Sequence, residues 1–196
     1  MGKNETEETK KNYINCFNET KQLIEEDFKS IKSIFDKIDG QVEKKEMDSN
    51  GFDSYMVIDQ DIVDHCSPEY KSIFGRSCIY VFKMIDDWNV PKDFDSYYNS
   101  AKRNNRMVKQ FKKSEALYVG KSYRAIERVH QHYSNRNDKI SSLKLGWEER
   151  KNLKECCVMI IFFLKKELKK YRSYILPMVE EIMHQRFEPL TGSSRI

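Results

Sequence analysis

Apolar residues recur at helical spacing through the first part of the chain, at Ile14, Phe17, Ile24, Phe28, Ile31, Phe35 and Ile38. From Ile24 onward the steps alternate between four and three residues, the interval that puts every apolar side chain on one seam of a helix. The spacing predicts a helix from Tyr13 to Asp39, roughly 40 Å long at ~1.5 Å per residue, with Gly40 as its stop signal. Met1 to Asn12 show no such period and are expected to fray. The seam suits either a short coiled coil with a second copy or packing against the chain's own domain. Lys21 falls at a seam position and favours the second use.

Beyond Gly40 the pattern changes. Gln41 to Gly51 are polar and end in Asn50-Gly51, the signature of a loop. Tyr55 to Ile58 is a short strand candidate. Ser77–Ile85 (SCIYVFKMI) and Ala116–Gly120 (ALYVG) are rich in β-branched and aromatic residues and read as strands. Cys156–Leu164 (CCVMIIFFL) is apolar throughout, as a fully buried strand would be. Helical spacing is expected near Tyr97–Phe111, from Ser122 to Tyr133, briefly in Leu145–Glu155, and in a last helix from Lys166 or Lys170 to Phe187. Ser134 to Asn137 reads as a turn. Pro177 lies inside the last helix and Pro189 ends it. The order of elements predicts an α+β fold.

Length and charge refine this picture. A chain of 196 residues holds one full domain, or one domain with a helical extension. No apolar run is long enough to cross a bilayer, and the polar start does not resemble a secretory signal, so a cytoplasmic location is the default expectation. The five cysteines form no Cys-x-x-Cys pair, which argues against a disulfide framework or a zinc site. Charge is unevenly placed. Residues 1–65 carry nine Lys and no Arg against sixteen acidic residues, a net −7, and residues 66–196 carry +11. The division predicts an acidic helical extension over 1–65, for packing or dimerisation, and a basic domain over 66–196 with a basic insertion at 86–115. A basic domain with interleaved aromatics attracts polyanions, nucleic acid first among them. Within the insertion, Lys102, Arg103, Arg106, Lys109, Lys112 and Lys113 are the candidate DNA contacts.

The candidate chemistry lies in an ordered set. Cys78-Ile79-Tyr80 falls on the first long strand, and Tyr118-Val119-Gly120-Lys121 on the second. Arg128 and His132 follow at i, i+4 on a helix, and Glu180 stands nine residues before Pro189. Taken singly, each is an ordinary residue: a cross-strand tyrosine, a surface arginine, a structural histidine, a helix glutamate. Together and in this order they resemble the GIY-YIG nuclease superfamily. CIY stands for GIY, YVG for YIG, and VEEIMHQRFEPLTG for the family's segment ending in Pro-x-x-Asn. The resemblance covers residues 74–196. It departs from the family at Cys78, at Gly192 in place of Asn, and in the long interval between the two tyrosines, which restriction members share.

The resemblance implies a small three-stranded antiparallel sheet flanked by helices, behind an N-terminal helical extension. It implies a metal-dependent endonuclease cutting DNA, of the restriction or phage-defence kind, using Mg²⁺ or Mn²⁺ and no small-molecule cofactor. A catalytically silent nucleic-acid-binding module of the same fold and a repair-type structure-specific nuclease are the alternatives. Glu180 takes the metal role, with neighbouring Glu181 as the other choice. Arg128 can fork onto the scissile phosphate. Tyr80 or Tyr118 is the general base, Lys121 supplies positive charge, and His132 assists a tyrosine. Symmetric cutting of a duplex needs two active sites, which a homodimer would supply.

Overall fold

The structure is a computed structural model that describes residues 2–38, 44–58, 72–85, 114–133, 143, 145 and 154–191. It has a five-stranded sheet with helices on both faces. Helix α1 (Gly2–Lys37) is followed by β1 (Lys44–Glu46), β2 (Phe52–Ile58), β3 (Cys78–Met84) and β4 (Ala116–Ser122). Helix α2 (Ala125–Tyr133), β5 (Cys157–Leu164), a 3₁₀ turn (Lys166–Tyr171) and helix α3 (Arg172–Phe187) complete the order. The strands lie β1-β2-β5-β3-β4, and every pairing is antiparallel.

The expected three-stranded sheet is therefore corrected to five strands. The physical reason lies in β5. All eight of its residues are buried, and a strand buried on both faces needs hydrogen-bonding neighbours on both edges. β3 fills one side, pairing Tyr80 with Ile161, and β2 fills the other, pairing Met56 with Ile161. β1 is a short outer strand whose three residues are all exposed. Both added strands come from the segment expected to be a helical extension.

Two apolar layers sandwich the sheet. Ile79 and Val81 of β3 share one with Ile31 and Phe35 of α1 and with Leu176, Val179 and Met183 of α3. Tyr80 and Phe82, pointing the other way, share the second with Ala125, Val129 and Tyr133 of α2. The α1 seam from Ile24 to Phe35 is thus buried against its own sheet and α3; Phe35 meets Phe187 with ring centroids 4.5 Å apart. Lys83 of β3 donates to the Phe35 and Ile38 carbonyls at 2.8 and 3.3 Å, satisfying the end of α1. The helix starts at Gly2 rather than Tyr13. Glu and Lys are good helix formers, so this polar stretch extends a helix anchored further along.

Asp27 fixes α1 to the start of β2. Its carboxylate, 4% exposed, accepts the Asn50 and Gly51 amides at 2.8 and 3.1 Å. A Cβ at Gly51 would lie 2.6 Å from Asp27 Oδ2, so any other residue there would push the carboxylate out of this arrangement. Burial pushes the Asp27 carboxyl above its usual value, although these amides oppose the shift.

The end of α3 shapes the edge of the sheet. Glu188 adopts a left-handed conformation (φ 44°) and Pro189 follows, so the helix stops. The chain then runs along β4, where the Leu190 and Thr191 amides donate to the Ala116 and Leu117 carbonyls at 3.0 and 2.9 Å. This covers the outer edge of β4 from Ala116 to Tyr118 and leaves that of Gly120 to Ser122 open among the described residues. Among them also, no helix is long and apolar enough to cross a membrane. The expected helix at Tyr97–Phe111, the turn at Ser134–Asn137, most of Leu145–Glu155 and Gly192 lie outside the described residues.

Candidate active site

β3 and β4 place the two tyrosines. Tyr80 pairs with Gly120, and Tyr118 pairs with Phe82. Directly opposite residues share a face, so Tyr80, Tyr118 and Gly120 all face α2. The tyrosine rings stack at 6.0 Å. Gly120 makes room for them: a Cβ there would meet Tyr80 Oη at 2.4 Å and the Tyr118 ring at 2.7 Å. The glycine of the YVG motif is thus a packing requirement of the paired tyrosines.

α2 delivers the other two members. Arg128 and His132 lie one turn apart on its inner side, beside Tyr80. Arg128 donates through Nε to Tyr80 Oη at 2.7 Å, through Nη1 to Gln131 at 2.7 Å, and through Nη2 to Tyr118 Oη at 3.5 Å. His132 is fully buried, and its Nδ1 accepts the Leu143 amide at 2.9 Å. An unprotonated Nδ1 puts the ring proton on Nε2, which then donates to Tyr80 Oη at 3.1 Å. Burial, and then Arg128, hold the His132 pKa well below its usual value, so the ring stays neutral.

These contacts separate the two tyrosines. Tyr80 is 0% exposed. Burial raises its hydroxyl well above the ordinary phenol range, with Tyr118 adding to the shift and Arg128 opposing it. Tyr80 is a neutral acceptor that fixes the Arg128 guanidinium. Tyr118 is only partly buried and can meet a ligand. Burial works against the charge on Arg128, but the two phenol oxygens outweigh it and its pKa lies above the usual value. Cys78, two residues before Tyr80 on the same face of β3, is buried, and burial pushes its thiol up to about 12. It is an inert packing group.

The remaining two candidates lie elsewhere. Lys121 pairs with Ile79 across the ladder, so its side chain leaves the opposite face, toward α3. There it forms an ion pair with Glu180, the two side chains being 16% and 18% exposed. Glu181 instead accepts Gln185 of its own helix at 3.1 Å on the exposed side. The six expected residues therefore form two groups: Tyr80, Tyr118, Arg128 and His132 on one face, Lys121 and Glu180 on the other. They meet at β4, because Gly120 touches the first group and Lys121, the next residue, belongs to the second. The face of each strand residue was readable from alternation, since positions three apart on a strand point opposite ways. Gln131 and the Leu143 amide were not anticipated, and the latter has no sequence signal. The insertion cations Lys102, Arg103, Arg106, Lys109, Lys112 and Lys113 lie outside the described residues.

Among the described residues no group of three or more His, Cys, Asp or Glu side chains could hold a metal ion. A cation here would have Glu180 as its one carboxylate. That donor set fits Mg²⁺, which keeps several waters and takes one or two carboxylates together with substrate phosphate oxygens. Neither protein-family models, nor curated protein sequences, nor solved structures give a match to this chain.

Proposed function

We propose that this protein is a metal-dependent endonuclease that hydrolyses phosphodiester bonds in DNA, as its likeness to the GIY-YIG nucleases implies. The observation that carries the reading is the Arg128 guanidinium, held by the buried Tyr80 hydroxyl and lying 3.5 Å from the Tyr118 hydroxyl. A forked cation beside an accessible phenol is what a phosphodiester and its attacking water require.

Each residue then has a distinct task. For one phosphate to meet groups from both faces, it would cross the outer edge of β4 at Gly120 to Ser122, which the described residues leave unpaired. Arg128 binds its non-bridging oxygens and offsets the charge that builds up in the transition state. Tyr118 is the general base that accepts a proton from the attacking water, its hydroxyl standing beside the Arg128 guanidinium. Tyr80 and His132 are positioning residues that hold Arg128 in one orientation. Glu180 would hold the metal, and Lys121 would move from Glu180 to the phosphate as substrate arrives. When bound, Mg²⁺ supplies charge neutralisation and a Lewis acid at the leaving oxygen.

A second reading has one observation in its favour. Lys121 already neutralises Glu180, as in a nucleic-acid-binding module that has lost catalysis. Incubation with plasmid and branched DNA, in Mg²⁺ or in EDTA, beside Glu180→Ala separates the two. Cutting that needs the metal and disappears in the variant supports the nuclease. Intact binding without cutting of any substrate supports the silent module.

A further inference from the structure

Three tyrosines stand out of the surface near the end of β4 and the start of α3. Tyr123 is 46% exposed, Tyr171 47% and Tyr174 71%. Among the described residues they are the only tyrosines that rank as large exposed hydrophobics, and their rings do not serve the core. Cations lie over two of them. The Arg172 guanidinium sits 4.9 Å from the Tyr123 ring centroid, and Lys170 Nζ sits 4.8 Å from that of Tyr171. Arg172 thereby joins the loop after β4 to the first turn of α3, and Tyr174 lies three residues beyond Tyr171 on the helical path. The same stretch exposes Lys166, Lys169 and Lys170 against the single acidic Glu167.

We infer that this basic, tyrosine-bearing surface, formed by Tyr123, Lys170, Tyr171, Arg172 and Tyr174, binds an unpaired nucleic-acid strand. The lysines and arginine match a phosphate backbone. The rings discriminate between strands. Bases in a duplex already stack on one another, so an exposed tyrosine gains nothing from them, whereas an unpaired base offers a free π-face. Tyr and Arg also suit a protein partner, but the exposed Lys166, Lys169 and Lys170 among them are of the type that interface cores exclude. The surface also runs into the candidate active site: Tyr123 follows Lys121 by two residues, and α3 carries Glu180 two turns beyond Arg172. As a strand-binding surface it stands alone. As the route by which single-stranded or branched DNA reaches Glu180, it rests on the nuclease reading.

Fluorescence anisotropy in EDTA tests it, using the full chain with a labelled oligothymidine and a labelled duplex of equal length. Tyr171→Ala with Tyr174→Ala should weaken oligothymidine binding by roughly tenfold to a hundredfold and leave duplex binding nearly unchanged. Tyr171→Phe with Tyr174→Phe should keep the wild-type affinity, because stacking needs the ring and not the hydroxyl. Lys169→Gln with Lys170→Gln should lower the salt dependence for both ligands. Far-ultraviolet circular dichroism checks that each variant is folded. Oligothymidine binding that is unaffected by the alanine pair, or no stronger than binding of a neutral peptide, overturns the inference. Strand binding that persists in a protein unable to cut DNA supports the surface and overturns only the nuclease reading.

Discussion

The two faces of β4 hold their candidate residues in opposite ways. On the α2 face, Tyr80, Arg128 and His132 form a closed network whose central hydroxyl receives two donors. Its geometry is fixed by the core, since Tyr80 and His132 are both fully buried. On the α3 face a single half-buried ion pair joins Lys121 to Glu180. The first arrangement can only hold its shape; the second joins two groups that a phosphate and a cation could each take as a partner instead, so that neither charge is left buried alone. The proposed nuclease would use both kinds of part, one to grip a phosphate and one to admit a cation.

The largest effect should come from the rigid face. Arg128→Ala should reduce DNA cleavage by roughly 10³-fold, measured in single-turnover assays. Arg128→Lys should recover little of this, because a point charge cannot reproduce the fork. Gly120→Ala comes next. The 2.4 Å approach of its Cβ to Tyr80 Oη should cost about 1–3 kcal/mol in urea unfolding and should damage cleavage along with stability.

Lys121→Met probes the exchangeable face. Without its partner, Glu180 should bind Mn²⁺ more tightly in the absence of DNA, by calorimetry, while cleavage falls. Unchanged Mn²⁺ affinity would mean that the two groups do not compete. The smallest effect is a pH dependence on the rigid face. His132 has a folded pKa below its unfolded one, so below about pH 6.5 the unfolded chain takes up a proton that the folded chain refuses. The stabilisation is full above that pH and is lost as pH falls toward the folded value, at a slope of at most about 1.4 kcal/mol per pH unit. His132→Gln should flatten that slope in urea titrations.

The parts of this architecture differ in how far sequence exposes them. β3, β4 and β5 were legible because β-branched and aromatic runs have few other uses. The i, i+4 spacing of Arg128 and His132 placed both on one side of α2. β1 left no trace, since Lys44–Glu46 is short, charged and wholly exposed, and exists only by pairing with β2. β2 was read as four residues at Tyr55–Ile58 and has seven, beginning at Phe52. Nothing local shows that it borders β5, because that pairing joins residues about a hundred positions apart. The division of the site between two faces was within reach, as Tyr118 and Lys121 differ by an odd number of strand positions. A motif's order along the chain carries which residues are present; only the alternation along each strand carries where each one points.

The central claim is that groups on both faces serve one phosphodiester bond. Stereopure phosphorothioate substitution at the cleaved position tests it most directly. Sulfur on the oxygen nearer Glu180 should slow cutting in Mg²⁺ and be rescued by Mn²⁺, and Glu180→Ala should lose the rescue. Sulfur on the other oxygen should slow cutting without rescue, and Arg128→Ala should then cost much less than with the all-oxygen substrate. If both diastereomers are cut at the all-oxygen rate, or if Glu180→Ala cuts normally, the two faces do not act on the same phosphate.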